Sequence, residues 1–79
     1  MANSMNSVVI GKRQILRELK KNNVAEITIA HDAEAQYIAS LIEVAKAHGV
    51  PYKIRGSMNE ISQEHGIQVP SGAVGVLKA

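Results

Sequence analysis

Short apolar runs alternate with longer segments of helical periodicity along the whole chain of 79 residues. Four runs are aliphatic or β-branched and are flanked by Gly, Asn or Pro, which is typical of strands: 8–10, 24–30, 50–54 and 73–77. The segments between them predict three helices, over 12–21, 33–48 and 58–65. This alternation predicts an α/β domain with helices on both faces of a small sheet.

Residues with known capping preferences mark the ends of these helices. Asn22 tolerates the left-handed conformation that ends a helix, and we expect it to close the first one. Asp32 precedes the second helix and is expected to be its N-cap. Ser57 and Glu60 have the spacing of a capping box at the start of the third helix, and Gly66 is expected to end it.

Length and composition restrict the class of protein. Seventy-nine residues make one domain, near the lower limit for a self-sufficient core. There is no cysteine for a disulfide or a thiolate metal site. No stretch approaches the roughly 20 apolar residues of a membrane helix. Residues 1–7 lack the features of a signal peptide and are expected to fray. We therefore expect a single domain over 8–79, monomeric and cytoplasmic.

The positive charge is concentrated near the amino terminus. Residues 1–23 contain five basic residues against one acidic residue, whereas the remainder contains four against six. The net charge of the whole chain is only +2. A nearly neutral chain with one basic end indicates a localised anionic partner.

The first turn of the first helix carries basic residues, where acidic residues are ordinarily favoured. Gly11 permits a sharp turn after the first strand, and Lys12 and Arg13 follow it. Backbone amides already make that end of a helix positive, so each basic residue there costs up to about 1 kcal/mol. Solvation on an exposed face is the alternative explanation for these charges. We interpret the cluster as a site where free amides and basic side chains converge on phosphate. Three more polar side chains lie on the same exposed face: Gln14, Arg17 and Lys21.

Several kinds of chemistry lack support in the sequence. No nucleophile elbow is present, and no two histidines have the spacing of metal ligands on one helix. The Gly-Lys pair at 11–12 lacks the rest of a phosphate-binding loop. Neither Tyr37 nor Tyr52 lies in an aromatic base-stacking motif. We therefore predict a protein that is not an enzyme and uses no cofactor or metal.

An apolar segment, 67–69, lies within a loop bounded by Gly and Pro. If it is exposed beside the basic helix start, it can cover an unstacked base. The alternative is that it packs against the core.

Four motifs occur in the order and spacing of a known family. Residues 11–17 resemble the pattern Gly-x-(Asn/Lys)-(Glu/Gln)-x-x-Lys, and residues 30–34 are similar to Ala-x-Asp-Ala-(Asp/Glu)-Pro. Residues 50–52 match a central Val-Pro-Tyr, and 66–67 match the start of an RNA-facing loop. The chain thereby resembles the kink-turn RNA-binding family of ribosomal proteins L7Ae and L30e, especially its short bacterial L7Ae-like members.

The resemblance implies a three-layer α-β-α sandwich with a four-stranded mixed sheet. It also implies a structured RNA partner that contains a kink-turn, in ribosomal RNA or a riboswitch. Four residues would contact the tandem sheared G·A pairs of that kink-turn: Gly11, Arg13, Gln14 and Arg17. Five would enclose a flipped-out nucleotide: Glu34, Ile38, Ile67, Gln68 and Val69. Lys12 and Lys21 would add positive charge.

The chain departs from the family pattern at several positions. Arg13 stands where the family has Asn or Lys, and Arg17 where it has Lys, which keeps the charge but changes reach and geometry. Ala35 replaces a Pro, and Ser62 replaces a common Gly. Two other functions therefore stay open. One is a protein-interaction or ribosome-associated module with weak kink-turn affinity, and the other is a small-molecule phosphate binder at Gly11.

Overall fold

Seven elements follow one another in the predicted order. The computed structural model describes residues 8–64, 66 and 71–78. The elements are β1 (Val8–Ile10), α1 (Lys12–Lys20), β2 (Val24–Ile29), α2 (Ala35–Ala47), β3 (Tyr52–Ile54), α3 (Met58–Glu64) and β4 (Ala73–Leu77). Every end lies within two residues of its predicted position. Residues 1–7, which we expect to fray, and the segment 67–70 lie outside the described residues.

The four strands form one mixed sheet with the order β1-β4-β2-β3. β4 pairs antiparallel with both β1 and β2, whereas β2 and β3 are parallel. β1, β2 and β3 therefore run in the same direction, and their carboxyl ends meet the start of β4 at one edge of the sheet. All three helices begin at this edge. We call it the loop edge, formed by 11, 31–34, 55–57 and 71–72.

Two core clusters occupy the two faces of the sheet. α1 and α2 cover one face, where fully buried side chains pack together: Ile15, Leu19, Ile27, Ile29, Leu41 and Ala45. On the other face Ile61 of α3 packs with Ala30 and Val74. Successive strand residues point to opposite faces, so Ile27 and Ile29 supply one core while Val74, paired opposite Thr28, supplies the other. The predicted three-layer α-β-α sandwich is confirmed.

Two of the predicted helix ends have the expected hydrogen bonds. The Ser57 amide donates to Glu60 Oε1 at 2.8 Å, and the Glu60 amide donates to Ser57 Oγ at 3.1 Å. This reciprocal pair is a capping box at the start of α3. Asn22 has φ 57° and donates its amide to the Leu19 carbonyl at 2.9 Å, which ends α1 in the left-handed conformation.

The prediction that Asp32 caps the second helix is wrong. α2 begins at Ala35, and Glu34 in the N-cap position makes no side-chain capping bond. Asp32 Oδ1 instead accepts a hydrogen bond from the Met58 amide, at 2.9 Å, and so supports the start of α3. The cause is a backbone contact, because the His31 amide donates to the Gly56 carbonyl at 3.0 Å and holds the 31–34 turn against the loop before α3.

Candidate nucleic-acid interface

Backbone hydrogen bonds bring the loops of the loop edge together. The Gly11 amide donates to the Ala73 carbonyl at 3.0 Å, and the Ala30 amide donates to the Gly72 carbonyl at 2.8 Å. The start of α1, the turn before α2 and the end of the loop before β4 therefore lie side by side. The residues of that loop for which we predict RNA contact, Ile67, Gln68 and Val69, lie outside the described residues.

The start of α1 is a helix end without a side-chain cap. Gly11 occupies the N-cap position with φ 86°, where an L side chain would be strained, and the first turn contains no acidic residue. The expectation of free amides at this helix start is only partly met, because two of them are hydrogen-bonded. The Gly11 amide bonds to β4, and the Lys12 amide donates to Tyr37 Oη at 3.0 Å. Among the described residues, the amides of Arg13 and Gln14 have no acceptor.

The exposed stripe of α1 forms a shallow basic groove. Leu16 lies half-buried in its floor, and four cations surround it. The residues that line it are Lys12, Arg13, Leu16, Arg17 and Lys20. Within the described part of the chain, Arg13, Arg17 and Lys20 form no ion pair. Their charge is therefore available to a partner that approaches the helix start.

The far end of α1 differs, because its charges are paired. Lys21 Nζ lies 3.7 Å from Glu18 Oε2, and Asn23 Nδ2 donates to Glu18 Oε1 at 3.0 Å. The hydrogen bond from Asn23, aided by the charge of Lys21, lowers the pKa of Glu18. Lys21 is also about 15 Å along the helix from Gly11. The structure therefore separates Lys21 from the other predicted site residues.

An open cleft lies between the starts of α1 and α2. Its lining residues are Lys12, Glu34, Gln36, Tyr37 and Ser40. The predicted site residues Glu34 and Lys12 thus meet in one place. Ile38 does not line the cleft, because its half-buried side chain packs against the core under α1 and α2.

Three residues that line this cleft were not predicted as site residues, namely Gln36, Tyr37 and Ser40, and Tyr37 makes the direct contact with α1. Its hydroxyl accepts the Lys12 amide, and Lys12 Nζ lies 5.9 Å from the centre of its ring. Burial raises the pKa of Tyr37, and the hydrogen bond from the Lys12 amide offsets part of that effect. An aromatic residue on the inner face of a helix is ordinarily core. Only its place in the first turn of α2, near the start of α1, could have indicated another role.

Two further findings concern the described residues as a whole. No group of three His, Cys, Asp or Glu side chains in 8–64, 66 and 71–78 is placed to hold a metal ion. No helix in the same part of the chain is long and apolar enough to cross a membrane.

The fold and this site define a small three-layer α/β protein with an uncapped, basic helix start at its loop edge. The model of the ribosomal protein L7Ae/L30e/S12e/Gadd45 family matches residues 1–79. The chain therefore belongs to that family.

Two bacterial relatives are similar over most of the chain. An RNA-binding protein of Bacillus pumilus is 34% identical over 71 residues, which is 90% of this chain and 87% of the relative. The RNA-binding protein YbxF of Geobacillus stearothermophilus is 32% identical over the same shares of both chains.

Solved structures share the fold at lower identity. The 15.5kD RNA binding protein of Giardia lamblia superposes with a TM-score of 0.85 at 23% identity, over 92% of this chain and 62% of that one. A Bacillus halodurans protein of unknown function gives a TM-score of 0.84 at 18% identity, over 91% of this chain and 72% of that one. At these identities the likeness concerns the fold alone.

Proposed function

We propose that this protein binds RNA, and that it recognises and stabilises a kink-turn at the start of α1. The main support for this proposal is the start of α1, which has no side-chain cap and no acidic residue in its first turn. The amides of Arg13 and Gln14 are open, and the guanidinium groups of Arg13 and Arg17 lack an ion-pair partner among the described residues. Relatives aligned over 87% of their own length bear the name RNA-binding protein, which supports an RNA partner.

The side chains at this end suit base edges as well as phosphate. Arg13 can donate to O6 and N7 of guanine, and Gln14 offers both a donor and an acceptor. A regular A-form helix hides these edges in a deep groove, whereas a kinked RNA exposes them. A Cβ added at Gly11 would have no atom within 4 Å, so the space beside the helix start is open to an RNA backbone.

Other residues take supporting roles in this proposal. Lys12, Arg17 and Lys20 attract phosphates along the basic groove, whereas Lys21 contributes least because Glu18 is its partner. Glu34 stands in the cleft beside Lys12, close to the path of an extruded nucleotide. By family resemblance the loop residues Ile67, Gln68 and Val69 complete the enclosure of that nucleotide, together with the part of the Ile38 side chain that the core leaves exposed.

The biological setting belongs to the same proposal. Residues 8–79 act as one domain and a monomer, without a cofactor and without catalysis. The RNA is a cytoplasmic kink-turn in ribosomal RNA or in a riboswitch.

The decisive experiment compares three ligands for the wild-type protein. They are a kink-turn RNA, the same RNA with its sheared G·A pairs replaced by Watson–Crick pairs, and free nucleotides. We expect binding to the kink-turn at least about tenfold tighter than to the duplex. Fluorescence energy transfer between the two RNA arms should report bending as protein is added.

Three results would contradict the proposal. Equal affinity for both RNAs would show that the site senses charge alone. Weak binding to both would favour a protein-interaction module of the same fold. Preferential binding of free nucleotides would favour a small-molecule phosphate site.

A further inference from the structure

We infer that Tyr37 is a positioning residue for RNA recognition. Its hydroxyl fixes the first turn of α1, from which Arg13 and Gln14 project, by accepting the Lys12 amide at 3.0 Å. Because this role rests on the proposed function, its test must separate a failure of the role from a failure of kink-turn binding.

The Tyr37 hydroxyl provides the direct polar link between the two helices of one layer. Lys12 and Tyr37 are 25 residues apart, and theirs is the one hydrogen bond that joins α1 to α2 among the described residues. The other contacts between the helices are apolar packing and the approach of Lys12 Nζ to the Tyr37 ring. Apolar packing is non-directional, whereas a hydrogen bond restricts distance and angle. The Tyr37 bond therefore sets the position of the first turn relative to α2.

The ring of Tyr37 also lies tightly against Gly72. A Cβ at Gly72 would lie 2.9 Å from Cε1 of the Tyr37 ring and 3.5 Å from the Cβ of Ala33. The φ of Gly72 is outside the left-handed region, so the ring and not the backbone conformation requires glycine here. The Gly72 carbonyl is in turn bonded to Ala30 at the end of β2. The sheet edge thus fixes the ring, and the ring fixes the hydroxyl.

The contact between Tyr37 and Lys12 also affects which amides of the first turn are accessible to RNA. The Tyr37 hydroxyl occupies the Lys12 amide, and the next two amides, of Arg13 and Gln14, are left open. Base-reading side chains need neighbours that hold them within about 0.5 Å of the productive geometry. Tyr37 supplies that restraint at the backbone from which both side chains begin.

The test uses Tyr37→Phe, which removes only the hydroxyl, and Tyr52→Phe as its matched control. Tyr52 is also half-buried against the core under α1 and α2, but its hydroxyl has no hydrogen-bond partner in the described part of the chain. Affinity is measured on folded protein for the kink-turn RNA and for its Watson–Crick duplex. We expect Tyr37→Phe to lose roughly 3- to 10-fold on the kink-turn, the equivalent of one net hydrogen bond.

Two readouts separate positioning from a general structural effect. The duplex affinity and the salt dependence of binding should not change in Tyr37→Phe, because no charge is altered. Hydrogen exchange at the Lys12 amide should become faster, because its acceptor is gone. Tyr52→Phe should leave the kink-turn affinity, the duplex affinity and the Lys12 exchange rate unchanged.

Gly72→Ala gives a second route to the same result. The added Cβ displaces the Tyr37 ring, so the kink-turn affinity of the folded protein should fall at least as much as in Tyr37→Phe. In the double variant the losses should be less than additive, because both changes act on one contact.

The measured affinities distinguish a failure of the positioning role of Tyr37 from a failure of the proposed kink-turn binding. If the wild type prefers the kink-turn and Tyr37→Phe keeps the full preference, the positioning role is overturned and the proposed function stands. Equal losses on both RNAs in Tyr37→Phe would also overturn the role. If the wild type shows no preference for the kink-turn, the proposed function fails, and the role of Tyr37 fails with it.

Discussion

The helices α1 and α3 begin at the same edge of the sheet, on opposite faces, and their first turns are built in opposite ways. At α3, Ser57 and Glu60 cap each other, and the carboxylate of Asp32 accepts a further amide. At α1, Gly11 provides no side-chain cap and no acidic residue follows in the first turn. Each cap of the α3 kind stabilises a helix by about 1 kcal/mol.

The contrast between the starts of α1 and α3 shows that, among the described residues, this chain supplies side-chain acceptors to amides at the start of α3 but leaves amides without acceptors at α1. The fold clearly accommodates a well-capped helix at the loop edge, since α3 is one. An open, basic start at α1 is therefore a local feature of that helix and not a limit of the architecture. A polyanion at α1 would supply the acceptors and the negative charge that α3 obtains from its own chain.

Salt should produce the largest effect, and it acts on the α1 side of the comparison. If about three to five of the cations near α1 neutralise phosphates, RNA affinity should fall roughly 10- to 1000-fold between 50 and 200 mM salt. Fluorescence titrations at several salt concentrations measure the slope. An affinity that stays constant over this range would remove the electrostatic basis of the proposed function.

Gln14→Ala tests base reading at the start of α1. We expect a loss of roughly 1–3 kcal/mol in binding free energy on the kink-turn and a smaller loss on the duplex. Gln14 is exposed, so thermal unfolding should change little. The matched control is Gln63→Ala, an exposed glutamine on α3. Equal losses of RNA affinity in the two variants would show that the start of α1 makes no specific contribution to RNA binding.

Ser57→Ala tests the opposite side of the comparison. Loss of the capping box should lower the unfolding free energy by about 1 kcal/mol, measured by urea denaturation. RNA affinity, corrected for the folded fraction, should be that of the wild type. A specific loss of affinity in the folded protein would place the start of α3 in the interface and erase the contrast between the helices.

Arg13→Glu should make the start of α1 resemble that of α3. An acidic side chain in the first turn replaces an unfavourable charge with a favourable one, so the RNA-free protein should gain about 0.3–1 kcal/mol of stability. Arg13→Gln removes the charge without reversing it and should give an intermediate gain. If neither variant is stabilised, the basic first turn carries no cost, and our reason for regarding it as a site is weakened.

What the sequence predicted depended on how far apart the interacting residues are. Ser57 and Glu60 are three residues apart, and the capping box between them was correctly predicted. Asp32 was assigned to the adjacent helix, but its partner amide is 26 residues away. The partner of that carboxylate depends on which loops the sheet brings together, and no local pattern encodes it.

The distance along the chain between interacting residues also explains which parts of the candidate site were predicted. The charges and the glycine at the start of α1 are local features, so the sequence identified them. The amides that remain open were not predictable, because β4 binds the Gly11 amide and α2 supplies the Tyr37 hydroxyl to Lys12. Both partners reach α1 only through tertiary packing.

The smallest expected effect concerns the other end of α1, where the chain satisfies its own charges. The hydrogen bond from Asn23, together with the charge of Lys21, holds the pKa of Glu18 below its ordinary value of 4.5. A carboxyl group with a lowered pKa in the folded state contributes stability that is present above the unfolded pKa and lost as the pH falls through the folded one. Glu18→Gln keeps an acceptor oxygen but does not titrate. Between pH 6 and pH 3, urea denaturation should therefore show a slightly greater loss of stability in the wild type than in Glu18→Gln. Identical losses would mean that the contacts of Glu18 with Asn23 and Lys21 do not stabilise the fold.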